Sequence, residues 1–223
     1  MNIFGGYVQS FLVRLLSILI GLMLLALGVV ITIKANIGYA PWEVFHVGLA
    51  NTIGLTIGVV AIITGIVIVI IVTALGEKVG FGTLVNMVLV GVFIDVIIML
   101  DFIPTANNFV IGITMLTAGM FIISFASFFY IRAAFGAGPR DSLMVVLARK
   151  TKAPIGLCRF MLELSITLIG WFLGGMVGIG TIISAFAIGV CIQITFSVVK
   201  FDVTAVKHET LSTTLSVLSG KAK

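Results

Sequence analysis

The sequence carries little charge: only 9% of its 223 residues are Asp, Glu, Lys or Arg, whereas about a quarter is usual for soluble domains. This scarcity excludes a soluble enzyme, a nucleic-acid-binding protein and a disordered chain, because each of them needs far more polar surface. Hydrophobic residues instead make up 61% of the chain. The composition therefore predicts an integral membrane protein.

Residue types suited to catalysis and metal binding are also scarce. Only two cysteines and two histidines are present, and Cys158 and Cys191 both lie in apolar stretches typical of packing residues. The phosphate-binding loop, the His-Glu-x-x-His zinc helix and the Gly-x-Ser-x-Gly elbow are missing from the sequence. We therefore predict that the chain is not an enzyme, and that it has no catalytic residues, metal site or cofactor.

Long apolar runs dominate what remains. A helix needs about 20 apolar residues to cross the hydrocarbon core of a membrane, and only helices satisfy their backbone hydrogen bonds there within one segment. Arg14 is the only charged residue near the start of the first apolar run, and the run contains no small-residue cleavage site. We therefore predict a retained first helix. The predicted spans are 11–33, 56–75, 81–100, 109–131, 155–173 and 179–199.

Two further segments, 41–53 and 139–150, are helical in pattern but too short and too polar to span. Pro41 and Pro139 open them, and proline suits the first helical position because its missing N–H would have no partner there. We predict short helices that either lie at the membrane interface or dip into the protein and return.

The distribution of basic residues predicts the topology. With six spans and a cytoplasmic N-terminus, nearly all of them fall on the cytoplasmic side, and the outer side receives little beyond Lys34. We therefore place both termini in the cytoplasm. The residues on that side are Arg14, Lys78, Arg132, Arg149, Lys150, Lys152, Lys200, Lys207, Lys221 and Lys223.

The chain contains an internal repeat at an offset of 98 residues, the separation of Pro41 from Pro139. Without a gap, residues 33–94 match their equivalents at twenty of sixty-two positions, where about six are expected by chance. We predict a single membrane domain, residues 1–200, with repeats at about 11–102 and 109–200 and a cytoplasmic tail at 201–223. Six glycine pairs match: Gly38/Gly136, Gly58/Gly156, Gly76/Gly174, Gly80/Gly178, Gly82/Gly180 and Gly91/Gly189.

Each repeat holds three spans, and an odd number of crossings inserts the second copy upside down relative to the first. The predicted fold class is therefore all-α: a polytopic membrane helix bundle of six transmembrane helices in two inverted three-helix repeats, each with a short re-entrant or interfacial helix. Such repeats recur in secondary transporters, whose binding sites lie near the midplane between the copies. The architecture favours transport without fixing it.

The segments that open the two short helices supply the predicted substrate-binding residues. Glu43 and Asp141 occupy equivalent positions in the first turns. They either stabilise their own helix dipoles, or lie at helix N-termini that face a central cavity and can hold an anionic or strongly polar group there. In the second case, Trp42 and Arg140 contact the substrate from opposing halves.

Charged and polar residues within spans are the candidates for ion or proton coupling, because charge is costly in the membrane. Arg159 and Glu163 are four residues apart on one helix face and form either a structural ion pair or a substrate or proton site. Asp95 and its equivalent Gln193 are the other coupling candidates. His46 either titrates near neutral pH or is a polar packing residue.

On these motifs the sequence resembles the YczE/YyaS/YitT family of bacterial integral membrane proteins. The likeness lies in the segment from Ala35 to Glu43, the segment from Gly136 to Asp141, and the Lys207-His208-Glu209 tail. The first segment departs from the family pattern by carrying Tyr39, Ala40 and Glu43. The resemblance implies a protein of the bacterial plasma (inner) membrane and raises the expectation of transport, and it supplies no substrate.

The resulting hypothesis is a secondary transporter or exporter of an unknown small molecule, working by alternating access between the inverted repeats. One alternative is a membrane-embedded regulatory or interaction protein that supports a cytoplasmic enzyme. Another is the substrate-binding subunit of a vitamin importer. The expected partners are the lipid bilayer and the small molecule, without nucleic acid, and both a monomer and a homo-oligomer are compatible with the glycine pattern.

Overall fold

The computed structural model describes residues 3–202, 206 and 209, with side chains from residue 12 onward. All regular structure in these residues is helical. The helices are α1 (Ile3–Lys34), α2 (Pro41–Ile53), α3 (Ile57–Ala74), α4 (Phe81–Leu100), α5 (Phe109–Arg132), α6 (Pro139–Thr151), α7 (Ile155–Phe172) and α8 (Ile179–Val198).

Six helices of the described chain are long and apolar enough to cross a membrane: α1 over Leu12–Lys34, and α3, α4, α5, α7 and α8 over their whole lengths. Their outer faces expose large apolar side chains such as Phe160, Phe172 and Phe186, which suits contact with lipid rather than water. The polytopic helix bundle and its six predicted spans are confirmed.

Helices α2 and α6 are the two short helices that the sequence predicts. Each starts at its proline after an extended residue, Ala40 or Gly138, because the proline ring fixes φ and disfavours a helical conformation in the residue before it. More than half of α2 is buried. This enclosure by protein favours the re-entrant alternative for α2, whose position in a membrane stays a prediction.

The internal repeat is visible in the backbone. Helices α6, α7 and α8 begin and end 98 residues after α2, α3 and α4, and α5 ends 98 residues after α1. Because the bounds agree at both ends, the two halves of the sequence fold in the same way. Four pairs of residues with positive φ also recur at this offset: Asn36/Ala134, Gly38/Gly136, Gly54/Lys152 and Gly76/Gly174.

The two halves meet at two equivalent glycine contacts. A Cβ on Gly38 would lie 2.6 Å from the amide nitrogen of Gly178, and a Cβ on Gly136 would lie 2.8 Å from Cα of Gly80. Both Gly38 and Gly136 also have positive φ, so glycine is required at them for space and for conformation. Equivalent hydrogen bonds lie beside these contacts, from Gly180 N to Ile37 O and from Gly82 N to Phe135 O, both 2.8 Å.

We expect Gly178→Ala to lower the free energy of unfolding by about 1–3 kcal/mol, the usual cost of overpacking. The added Cβ would lie 2.6 Å from the carbonyl oxygen of Ile37, and a backbone atom cannot rotate away. Gly156→Ala is the control, because a Cβ there meets no described atom within 4 Å. Unfolding of the purified protein in SDS titrations measures both. Equal losses would contradict this explanation.

Helix α1 and its copy α5 pack against each other in opposite directions. Arg14, near the start of the α1 span at Leu12, donates to the carbonyl of Ala133 just after α5. Gly112, near the start of α5, lies against Ala35 after α1. Between them, Gly28 lies against Gly119. The orientation of the two repeats in a membrane stays a prediction.

Arg14 also links the segment around Glu209 to this contact between α1 and α5. Its guanidinium lies 4.3 Å from the Phe135 ring centroid and forms a 2.7 Å ion pair with Glu209. The sequence interprets Arg14 as a topology-setting charge, and the structure adds an anchoring role. Lys207 and His208 of the predicted tail lie outside the described residues.

An exposed ion pair links the ends of α1 and α4. Lys34 Nζ donates to Asp101 Oδ1 at 2.8 Å. This hydrogen bond and the lysine charge lower the pKa of the Asp101 carboxyl, so the pair persists to a lower pH than an isolated aspartate would allow. Asp101 is thus an exposed carboxylate at the end of α4, away from the centre of the bundle.

Candidate functional site

A cavity of about 370 Å³ lies at the centre of the bundle, and all eight helices contribute to its wall. Its size falls in the usual range for small-molecule sites, which are mostly apolar with a few placed polar groups. The wall follows that pattern. Residues such as Met87, Ile123 and Ile188 form its apolar part.

The first turns of α2 and α6 bring the polar groups to the cavity. The left-handed turns at Gly38 and Gly136 reverse the chain, and the prolines then start the two helices inside the protein. All four predicted substrate-binding residues lie on the cavity wall: Trp42, Glu43, Arg140 and Asp141.

Glu43, Arg140 and Trp42 form one cluster that joins the two repeats. Nη1 of Arg140 lies 3.5 Å from Oε1 of Glu43, and its guanidinium lies 4.7 Å from the Trp42 ring centroid. Glu43 is buried, with 5% of its surface exposed. Its carboxylate therefore depends on Arg140, because a buried charge without a partner is strongly destabilising.

Asp141 has a different environment. Its Oδ2 accepts a 2.9 Å hydrogen bond from the Tyr130 hydroxyl, and no cationic group of the described chain lies within ion-pair distance of it. The two equivalent carboxylates thus differ in their partners. Glu43 is matched by a charge, whereas Asp141 is matched by a neutral phenol.

Arg159 and Glu163 face the cavity from α7. Arg159 Nε donates to Glu163 Oε1 at 2.9 Å. The predicted ion pair is therefore present, and its position on the wall leaves both a structural and a substrate-binding role open.

His46 lies on α2 behind Trp42 and also reaches the cavity wall. Only 2% of its surface is exposed, and its Nε2 has no hydrogen-bond partner among the described residues. The rings of Trp42 and Phe45 lie 6.4 and 6.0 Å from it. A buried nitrogen without a partner is costly.

Asp95, a predicted coupling residue, lies off the cavity wall, where α4 meets the start of α3. Its Oδ1 accepts from the Gly58 amide at 2.7 Å, and its Oδ2 accepts from the Thr56 hydroxyl at 2.5 Å. These bonds tie the two helices together. Its equivalent Gln193 lies in a shallow surface depression beside Phe196 and Lys200.

The two repeats differ in how their last two spans pack. Helices α3 and α4 are in contact, and Gly58 lies directly against Gly91. At the equivalent positions of α7 and α8, a Cβ on Gly156 or Gly189 would meet no described atom within 4 Å. One side of the cavity is therefore closed, and the equivalent side is open.

Sequence reasoning missed Tyr130 as part of the cavity wall. Tyr130 stands where the first repeat has Thr32, which also lines the cavity. A polar residue at equivalent positions of two apolar spans was the available signal. Within the described residues, no group of three His, Cys, Asp or Glu side chains is placed to hold a metal ion.

These features define a multi-pass α-helical membrane protein. Its central cavity, mostly apolar with a few charged groups, lies where two structural repeats meet. The model of a family described as a family of unknown function (DUF6198) matches residues 12–197. The chain belongs to this family, and the predicted resemblance to YczE is confirmed.

Three relatives show how widely the likeness extends. The uncharacterized membrane protein YczE of Bacillus subtilis (strain 168) is 37% identical over 190 residues, 83% of this chain and 86% of the relative. An uncharacterized protein of Haemophilus influenzae is 29% identical over 82% of this chain and 83% of its own length. The uncharacterized protein YyaS of Bacillus subtilis is 23% identical over 81% of this chain and 91% of the relative. No solved structure matches the chain significantly. The YitT part of the resemblance stays a prediction.

Proposed function

We propose that this protein is a secondary transporter that carries a small molecule across a bacterial plasma membrane by alternating access between two inverted repeats. The observation that carries the proposal is the difference between the closed α3/α4 pair and the open α7/α8 pair. Two copies of one fold that hold different conformations around a shared cavity can exchange those conformations. The exchange moves the opening from one side of the cavity to the other.

The contacts of Asp95 give this exchange a physical mechanism. Asp95 holds α3 against α4 through Thr56 and Gly58. In the opposite state, Gln193 would approach the start of α7 at Gly156 as α8 closes on α7. We therefore assign Asp95 to a latch between α3 and α4 rather than to proton coupling.

The basic residues support a cytoplasmic location for the open side. The gap lies toward the start of α7 and the end of α8, next to the segments that carry Arg149, Lys150, Lys152 and Lys200. Cytoplasmic segments are enriched in such residues. On this proposal the described conformation is an inward-open state, with both termini in the cytoplasm.

Flux into proteoliposomes tests this proposal. The purified protein is reconstituted, and uptake is measured for a panel of labelled metabolites and antibiotics against empty vesicles. A transporter gives saturable uptake of at least one compound, and Gly91→Leu, which blocks the close approach of α3 to α4, reduces it. Ligand binding without flux across the panel would contradict the proposal.

A further inference from the structure

The charges on the cavity wall do not cancel. Three carboxylates reach it, from Glu43, Asp141 and Glu163, whereas only Arg140 and Arg159 bring guanidinium groups. His46 has no carboxylate within ion-pair distance among the described residues, which disfavours a buried imidazolium. The wall therefore holds one carboxylate in excess.

Both arginines are already paired. Arg140 lies 3.5 Å from Glu43 and over Trp42, and Arg159 donates to Glu163 at 2.9 Å. Their charges are matched before any ligand enters, so neither brings uncompensated positive charge to the wall.

The carboxylate without a cationic partner among the described residues is that of Asp141. Its hydrogen bond comes from the neutral hydroxyl of Tyr130, which orients the carboxylate without neutralising it. Asp141 lies in the first turn of α6, so the positive end of the helix dipole stabilises its carboxylate in part. A carboxylate on an apolar wall is still costly without a full counter-charge. An incoming cation would supply that counter-charge.

The remainder of the wall suits an apolar body. Aromatic rings from Trp42, Tyr130 and Phe196 reach it together with aliphatic side chains, and aromatic faces attract organic cations. The volume of about 370 Å³ accommodates a small drug-sized molecule rather than a bare ion.

We propose that the cavity binds an organic monocation with an aromatic or aliphatic body, and that the Asp141 carboxylate is its counter-ion. The inference rests on the proposed function for the role of the cavity, and it names the chemical class of the substrate. The apolar wall holds the body, while Asp141 with its Tyr130 hydrogen bond selects the charge.

The test uses three small aromatic probes that differ in charge: benzyltrimethylammonium, benzyl alcohol and phenylacetate. Binding to the full-length protein in detergent is measured by isothermal titration calorimetry. We expect the wild type to bind the cation at least tenfold more tightly than the neutral and anionic probes. Asp141→Asn should lose at least tenfold in cation affinity.

Asp101→Asn is the matched control, because it removes a carboxylate of the loop after α4 that lies away from the cavity, and it should bind the cation like the wild type. If Asp141→Asn does not fold, the preference of the wild type among the probes still decides. Equal affinities, tighter binding of phenylacetate, no binding of any probe, or an unchanged Asp141→Asn would overturn the inference.

The outcome also separates this inference from the transport proposal. Cation binding that depends on Asp141, without flux in proteoliposomes, would support the site and contradict transport. Flux of a neutral or anionic compound, without a preference for cations, would support transport and contradict the site.

Discussion

Arg140→Gln is expected to destabilise the folded protein by about 3 kcal/mol, because it leaves the Glu43 carboxylate buried without its partner. Glu43 is almost fully enclosed, whereas the Arg140 side chain keeps 41% of its surface exposed. The two partners therefore respond unequally to removal. The free energy of unfolding, measured by SDS titration of the purified protein, detects the loss.

The reverse single variant and the double variant are the controls. Glu43→Gln should cost about 1 kcal/mol or less, since the exposed part of Arg140 keeps its hydration. In the double variant Glu43→Gln/Arg140→Gln, most of the loss caused by Arg140→Gln should disappear. A double variant as unstable as Arg140→Gln alone would show that the pair does not account for the cost.

Asp95→Ala is expected to open the α3/α4 side of the cavity. It removes two hydrogen bonds to a carboxylate, those from Thr56 and Gly58. A loss of about 1.4 kcal/mol, near the low end of the net contribution of one hydrogen bond to a charged group, shifts a two-state equilibrium about tenfold. The shift favours the state in which the cavity faces outward.

Labelling of a cavity cysteine measures this shift without knowledge of the substrate. Met144 lines the cavity, so Met144→Cys is placed in a background with Cys158 and Cys191 replaced by serine. We expect Asp95→Ala to raise its labelling by an impermeant thiol reagent outside intact cells about tenfold. Gln193→Ala is the control, because Gln193 occupies the equivalent position but forms no latch. This variant should not raise the labelling. Equal labelling of the two variants would contradict the latch.

Much of the fold was predictable because the membrane imposes a strong pattern. The hydrocarbon core demands long apolar helices, and Pro41 and Pro139 fix where the short helices begin. The offset of 98 residues between the repeats then predicts where the helices of one half begin and end from those of the other half. Matching pairs such as Gly38 and Gly136 marked the turns, because their conformation excludes most other residues.

The site was predictable only in part. Trp42, Glu43, Arg140 and Asp141 carry a local signal, a charged or aromatic residue after an initiating proline, and the structure brings them to one cavity. The hydrogen bond from Tyr130 to Asp141 joins two helices, and helical periodicity does not report such partners. The difference between the closed and open pairs is also hidden, because glycine stands at all four positions, Gly58, Gly91, Gly156 and Gly189.

The opposite orientation of the two repeats is the central claim, and cysteine accessibility in intact cells tests it most directly. Asn51 and Arg149 are exposed equivalent positions of α2 and α6. With Cys158 and Cys191 replaced by serine, Asn51→Cys should react with an impermeant maleimide in intact cells. Arg149→Cys should react only after the membrane is permeabilised. Reaction of both positions from the same side would contradict the inverted repeats and, with them, alternating access.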